Sequence, residues 1–435
     1  MKRNRKIRWL SLALIACVVL TALPIAGLAG SAPAIALNTD AITKGNTVYF
    51  GVMGSDPIQW RVLSGGSDST LPVSGSGKAL LISEKTLAVI QFNPDPAAAD
   101  AKVWAGSNAQ NWCTKFYNNW PAAAGSEKDA FLETTIAESN DETYTSSTES
   151  YNYFYQGGLY NNYYGAAPLD KERFFFLSAK EAETLFDSDG DRIPSGTSKS
   201  WWLRSPLASN AGFSGCVVPE GWVNFTRVDF TDGARPVFNL DLSAVLLVSP
   251  AEGGKSGGAT LAAIGTTDTK DWKLTLKDKD RGFADNGAAA PFTAQPGGTV
   301  SIPYKNAKTG TNEYVSVLLC DGTDAKYYGS VPVAAAGGTA TFTLPGDLTA
   351  GKTYTLKVFN EQKNGDKKSD YASDFVEYQL TVAAKAIPAV TSGKVWEFPK
   401  TGDSSPLGLW AGMTLFGALG IAALACTNKR KNDGK

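Results

Sequence analysis

The sequence predicts an α+β head followed by an all-β sandwich, with a signal peptide before them and one transmembrane helix after them. Three observations predict this. Both ends of the 435-residue chain carry an apolar run flanked by basic residues. Residues 38–248 mix short alternating runs with two patches at helical spacing. Residues 259–383 change to short alternating runs separated by Gly, Pro and Asp.

At the N-terminus, Lys2, Arg3, Arg5, Lys6 and Arg8 precede an apolar stretch from Trp9 to Gly30. Ala34-Ile35-Ala36 then offers an A-x-A cleavage site. Residues 1–36 therefore read as a signal peptide cut between Ala36 and Leu37. Leu14-Ile15-Ala16-Cys17 also fits a lipobox, but Cys17 is followed by more apolar residues and not by a polar tether.

Removing both processed ends leaves residues 37–401. The ends hold nine of the 41 basic and two of the 42 acidic residues, so the mature chain carries 32 against 40, a net charge of −8. That balance speaks against nucleic acid as a partner. The chain contains no histidine, which excludes Ser-His-Asp and Cys-His catalysis and His-ligated zinc. Three cysteines survive processing, Cys113, Cys216 and Cys320, none in a C-x-x-C pair. Cys113 with Cys216 is the candidate disulfide, and three reduced, buried thiols are the alternative.

In the head, Lys44–Gly51, Ile58–Leu63 and Lys78–Lys85 read as strands, and 108–120 and 127–138 as helical patches. Residues 139–170 are polar and aromatic, with Tyr155 and Tyr160 flanking Gly157-Gly158, and form a long insertion. Exposed rings with Asn neighbours suit contact with sugar or protein, and a self-packed loop is the competing reading. Arg173–Leu177 reads as a buried strand. Ser178 caps the helix that follows, with Glu181 as its capping-box partner.

Asp187, Asp189 and Asp191 match the first three carboxylate positions of a calcium loop. Arg192 stands where that loop needs Gly and Ser198 where it needs Glu, so a plain Asp/Gly turn competes with the metal site. Calcium is the one cofactor the sequence suggests. Trp201 and Trp202 are neighbours on a strand and face opposite sides, one toward the core and the other toward the surface or the aromatic insertion. Arg204 and Arg235 are expected to be buried against carboxylates such as Glu84. Trp201, Trp202, Arg204, Trp222, Tyr155 and Tyr160 are the candidate ligand contacts.

The stretch Trp201-Trp202-Leu203-Arg204-Ser205-Pro206, the segment from Gly215 to Asn224 and the closing Gly233-Ala234-Arg235-Pro236-Val237-Phe238-Asn239-Leu240 together resemble a bacterial surface module of unknown function, over roughly 44–247. That module is in turn similar to the C-type-lectin-like fold of lectins, phage receptor-binding proteins and formylglycine-generating enzymes. The resemblance implies a lectin-like head. It also leaves open an enzyme built on Cys113 and Cys216, though neither lies in that enzyme family's motif. A two-carboxylate glycosidase needs no histidine, but Glu220 and Asp229 have no supporting pattern.

Residues 249–258 are Gly-rich and read as a linker. About seven strands over 259–383 read as an immunoglobulin-like sandwich acting as a spacer. No pilin-type motif in it marks a Lys–Asn/Asp isopeptide bond. Residues 384–397 form a short Ala/Pro/Thr/Ser stalk.

The last 38 residues comprise Phe398-Pro399-Lys400-Thr401-Gly402, an apolar run over 407–426 long enough to span a bilayer, and a basic tail over 427–435 that holds the C-terminus inside. Pro399 biases Phe398 toward an extended conformation suited to a protease groove. These parts resemble the cell-wall sorting signal of Gram-positive bacteria, L-P-x-T-G, with Phe398 replacing Leu. The resemblance implies that a sortase cuts between Thr401 and Gly402. It would then join Thr401 to peptidoglycan or to a pilus subunit, leaving a wall-anchored protein that was membrane-anchored before the cut. The head would bind a glycan or a protein. A pilus or other structural subunit, and an enzyme, are the alternatives.

Overall fold

The computed structural model describes residues 32–384, apart from 38, 67–70, 122–124, 141–142, 147–152, 156–157, 161–162 and 197–198. All described residues belong to one compact unit spanning 1–385. The sorting motif at 398–402 and the apolar run at 407–426 lie outside them. Among the described residues no helix is long and apolar enough to cross a membrane.

The first half is built on two sheets. In one, Thr47–Met53, Asp56–Ser64, Lys78–Ser83, Val237–Asp241 and Phe131–Leu132 lie side by side, each antiparallel to the next. The strand Asp56–Ser64 shows why. Ile58, Trp60 and Val62 are buried while Gln59 and Arg61 between them are partly exposed, the two-residue period of a half-covered sheet. Gly54, at φ 65°, opens the two-residue hairpin loop between Met53 and Asp56, a conformation other residues rarely adopt. The second sheet has five strands, in the order Val223–Arg227, Phe213–Val217, Trp201–Pro206, Thr231–Ala234 and Ala88–Gln91. The core of this half is aromatic, and in it Phe131 meets Phe50, Trp120, Phe174 and Phe238 at ring-centroid distances of 4.8–5.2 Å.

This architecture overturns the α+β, lectin-like expectation for the head. Its longest helix, Asn108–Asn118, has 11 residues. Gly125–Asp129, Ala179–Leu185 and Asp189–Arg192 are shorter still. The helical patch over 127–138 breaks after Asp129 into Phe131–Leu132 and Thr134–Ile136, both paired with other strands. Apolar spacing over so few residues fits either period, and the aromatic core takes Phe131 as a sheet edge. The stretch Phe174–Leu177 is buried as expected, yet it meets its neighbour through one bridge, Phe175 to Val237.

The second half is all-β. Asp324–Pro332, Glu313–Asp321, Thr353–Gln362, Val376–Val382 and Phe292–Ala294 form one sheet, and Ala284–Asp285, Thr299–Lys305 and Gly338–Thr343 another. Val300, Ile302 and Phe342 from the second share a core with Val317, Leu319, Leu356 and Leu380 from the first.

The halves are not beads on a string. Asp271–Lys277, from the expected spacer, pairs with Thr47–Met53, Val245–Pro250 and Asp370–Ala372. Its Trp272, Leu274 and Leu276 complete the core of the first half. The expected linker is partly built in, with Pro250 paired to Trp272 and the Lys255 side chain only 2 % exposed.

The N-terminal edge is built in as well. Ala36 exchanges backbone hydrogen bonds of 3.1 and 2.9 Å with Val248, and Ile35 is buried among Leu246, Leu247, Leu318 and Phe359. A cut between Ala36 and Leu37 would strip this edge. A chain beginning at Leu37 is therefore expected to be less stable than one beginning at Ala32 by about 1.5–3 kcal/mol, the burial of one isoleucine side chain. Denaturant melts of the two proteins check this, and equal midpoints would show that Ile35 adds nothing.

Candidate functional site

The most distinctive sequence, Trp201–Pro206, is buried at every position. Trp201 and Trp202 do face opposite sides of the strand, but both sides are covered. Trp201 donates from Nε1 to the Arg192 carbonyl at 3.1 Å and Trp202 to the Ile90 carbonyl at 2.8 Å. Neither reaches the surface. Arg204 is also fully buried. It forks onto Glu181 at 2.5 and 2.7 Å and donates to the carbonyls of Ala167 and Phe176 at 2.8 and 3.0 Å. Glu181 accepts in turn from the Ser178 backbone at 2.9 Å, closing the predicted capping box. Trp201, Trp202 and Arg204 are thus framework and not ligand contacts. Trp222 is half-buried. Tyr155 and Tyr160 sit on the paired strands Tyr153–Tyr155 and Gly158–Tyr160, and their side chains lie outside the described residues.

Glu84 serves Arg61, not Arg204 or Arg235, with contacts of 2.8 and 2.5 Å. Arg235 has no carboxylate of its own. Its guanidinium donates to the carbonyls of Ser83 and Arg192, both at 2.7 Å, and lies 5.1 Å from the Trp201 ring centre. Burial pushes its pKa down to about 9, with the nearby Glu84 charge opposing and Arg61 adding to the shift.

The three aspartates of the proposed calcium loop turn to different partners. Asp187 meets Lys44 at 2.5 Å, Asp189 pairs with Arg192, and Asp191 accepts from Ser188 at 2.7 Å. Among the described residues no group of three metal-ligand side chains converges. Cys113, Cys216 and Cys320 are buried free thiols, so the candidate disulfide is not formed and the alternative of three reduced, buried thiols holds. Burial, with Glu172 near Cys113 and Asp232 near Cys216, pushes both thiols up, the wrong direction for nucleophiles. Asp229 is forked by Arg227 at 2.9 and 2.8 Å, and Glu220 is exposed.

What the sequence did not point to is a cleft of about 520 Å³ where the halves meet, lined by Gly51, Pro121, Glu127, Asn312, Gln362, Asn364 and Tyr371 among others. Gly51 has φ 71°, and a Cβ there would lie 2.0 Å from the Trp120 ring, so the strand can pass the indole only as glycine. Trp120 in turn donates to Glu127 Oε2 at 2.8 Å. Glu127 is 4 % exposed, and burial raises its pKa against the lowering effect of its hydrogen bonds. Burial and the neighbouring Glu127 push the Tyr371 phenol up as well. A carboxyl with a perturbed pKa in a polar cleft is what a binding site presents. No sequence motif signals it, because its lining comes from five separate stretches of chain.

These features define a β-rich protein with an aromatic, arginine-braced core and a polar cleft beside it. Within it, residues 76–242 match the family model described as "Domain of unknown function (DUF6273)". The match includes the Trp201–Pro206 strand and omits Thr47–Met53, which pairs with Asp56–Ser64 in the other sheet. No curated protein and no solved structure matches the chain.

Two outcomes follow. Arg204→Ala leaves the Glu181 charge buried and alone and is expected to cost about 3–5 kcal/mol, whereas replacing both partners with apolar residues costs less. Denaturant titration of the single and double variants measures the difference. Glu127 has a folded pKa above its unfolded value. Its contribution is therefore fully present below the unfolded value near 4.5 and is lost as pH rises through the folded pKa. Glu127→Gln should flatten that part of the stability–pH curve, and identical slopes for the two proteins would refute it.

Proposed function

We propose that this chain is a wall-anchored surface protein that holds a rigid β-structure outside the cell and uses the cleft beside Glu127 to contact a polar ligand, a glycan or an extended peptide. The observation that carries the reading is the ordered run of Phe398–Gly402, the apolar 407–426 and the basic 427–435. Sortase is the processing partner and Thr401 the residue joined to the wall. The excess of acidic side chains in the mature chain suits a soluble exported protein. The amides of Asn312, Gln362 and Asn364 and the ammonium of Lys368 give the cleft donors for hydroxyl or carbonyl groups.

In a Gram-positive host with an active sortase, the full chain should resist detergent extraction and be released by wall-degrading enzymes. Thr401→Ala should stay in the detergent-soluble membrane fraction. Equal extraction of both removes the anchoring reading. A ladder of high-mass species that vanishes without sortase would instead make the chain a polymerised subunit.

A further inference from the structure

The second half buries a cluster of amines and carboxylates that no surface role requires. Lys255 Nζ lies 2.6 Å from Glu361 Oε2 and 2.6 Å from Asp370 Oδ2, and Lys273 Nζ lies 2.8 Å from the same Asp370 oxygen. All four side chains are at most 6 % exposed. Lys255 also donates to Thr275 Oγ1 at 3.0 Å and Lys273 to the Gly365 carbonyl at 2.8 Å. Glu361 is oriented by Ser316, which donates to Oε1 at 2.6 Å, and by the Tyr328 hydroxyl on the same oxygen. Asp370 is oriented by the Asn364 backbone N–H, which donates to Oδ1 at 2.7 Å. Its Oδ2, although two amines approach it, has no partner in hydrogen-bond geometry.

We propose that Lys255 and Asp370 form an intramolecular isopeptide bond, with Glu361 as the proton carrier. The bond that forms is Lys255 Nζ to Asp370 Cγ, and the bond that breaks is Cγ to Oδ2. Glu361 first takes a proton from the Lys255 ammonium across the 2.6 Å contact and passes it to Asp370 Oδ2, leaving a neutral amine held against a neutral carboxylic acid. The amine's lone pair attacks Cγ. Charge gathers on Oδ1, which faces the Asn364 N–H. Glu361 then takes the second proton from nitrogen and hands it to the Oδ2 hydroxyl. Oδ2 leaves as water and Glu361 ends ionised, as it began. Ammonium and carboxylate thus become amide and water, with no oxidant, cofactor or second protein.

Three features favour this chemistry over a plain ion cluster. The amine and the acyl carbon's carboxylate are already in contact, so the reaction has the advantage of a pre-positioned intramolecular pair. Water, which would reverse the reaction, is excluded by burial. Keeping four formal charges out of solvent costs several kcal/mol for each ion. The amide removes two of them and leaves Lys273 and Glu361 to balance each other. The ground state before reaction is ionised. Burial opposes it, but the facing charges hold Lys255 protonated and bring Glu361 down to about 2.

The inference stands apart from the anchoring reading, because it needs only a folded chain. The test is peptide mass spectrometry of the full chain after denaturation and trypsin. The expected result is that Lys255 escapes cleavage and that its peptide is joined to Ser369–Lys385, the pair lighter by one water. Glu361→Gln should retain the fold by circular dichroism and lose the joined peptide. Free Lys255 and Asp370 peptides in the wild-type digest overturn the proposal, as does a bond to Lys273 or to Glu361. Loss of the joined peptide in a folded Lys255→Arg variant, with the wild type linked, supports it.

Discussion

The strand Asp271–Lys277 is the constraint on which the rest of the molecule depends. Its side chains alternate between two environments that have nothing in common. Trp272, Leu274 and Leu276 close the apolar core of the first half. Lys273 and Thr275, one residue out of phase, enter the buried polar cluster with Lys255, Glu361 and Asp370. A slip of one residue would put an ammonium into the aromatic core and a tryptophan among the carboxylates, so the register is fixed from both sides at once. Through this strand the halves stabilise each other, and a fragment ending at 248 would lack part of its core.

A second constraint is the treatment of buried arginine. Arg204 has a carboxylate, and its planar fork is matched bidentately by Glu181 while that same carboxylate caps a helix. Arg235 has only carbonyls and aromatic faces. The first arrangement locks the helix Ala179–Leu185 to the Trp201–Pro206 strand. The second ties the loop at Arg192 and the strand end at Ser83 to the start of Val237–Asp241. The most recognisable sequence in the chain therefore marks what shapes the core, and the cleft takes its lining from less conspicuous residues.

The legible features were local ones. The strands Thr47–Met53 and Asp56–Ser64, the capping box of Ser178 and Glu181, and the strand character of 259–383 all follow from spacing over a few residues. The misread features had local patterns that tertiary packing overruled. Phe131 sits in a helical pattern and becomes a sheet edge. Trp201 and Trp202 alternate like a half-exposed strand, yet the second face is covered too.

The sequence by itself determined the lack of histidine and the change of pattern near residue 259, because composition and short periods need no partner to be meaningful. Only the tertiary structure decided that Asp271–Lys277 belongs to both halves, that Glu127 lies under a cleft, and that Lys255 meets Asp370. Each of these joins residues far apart in the chain, and no spacing rule connects positions that come together only when the sheet assembles around them.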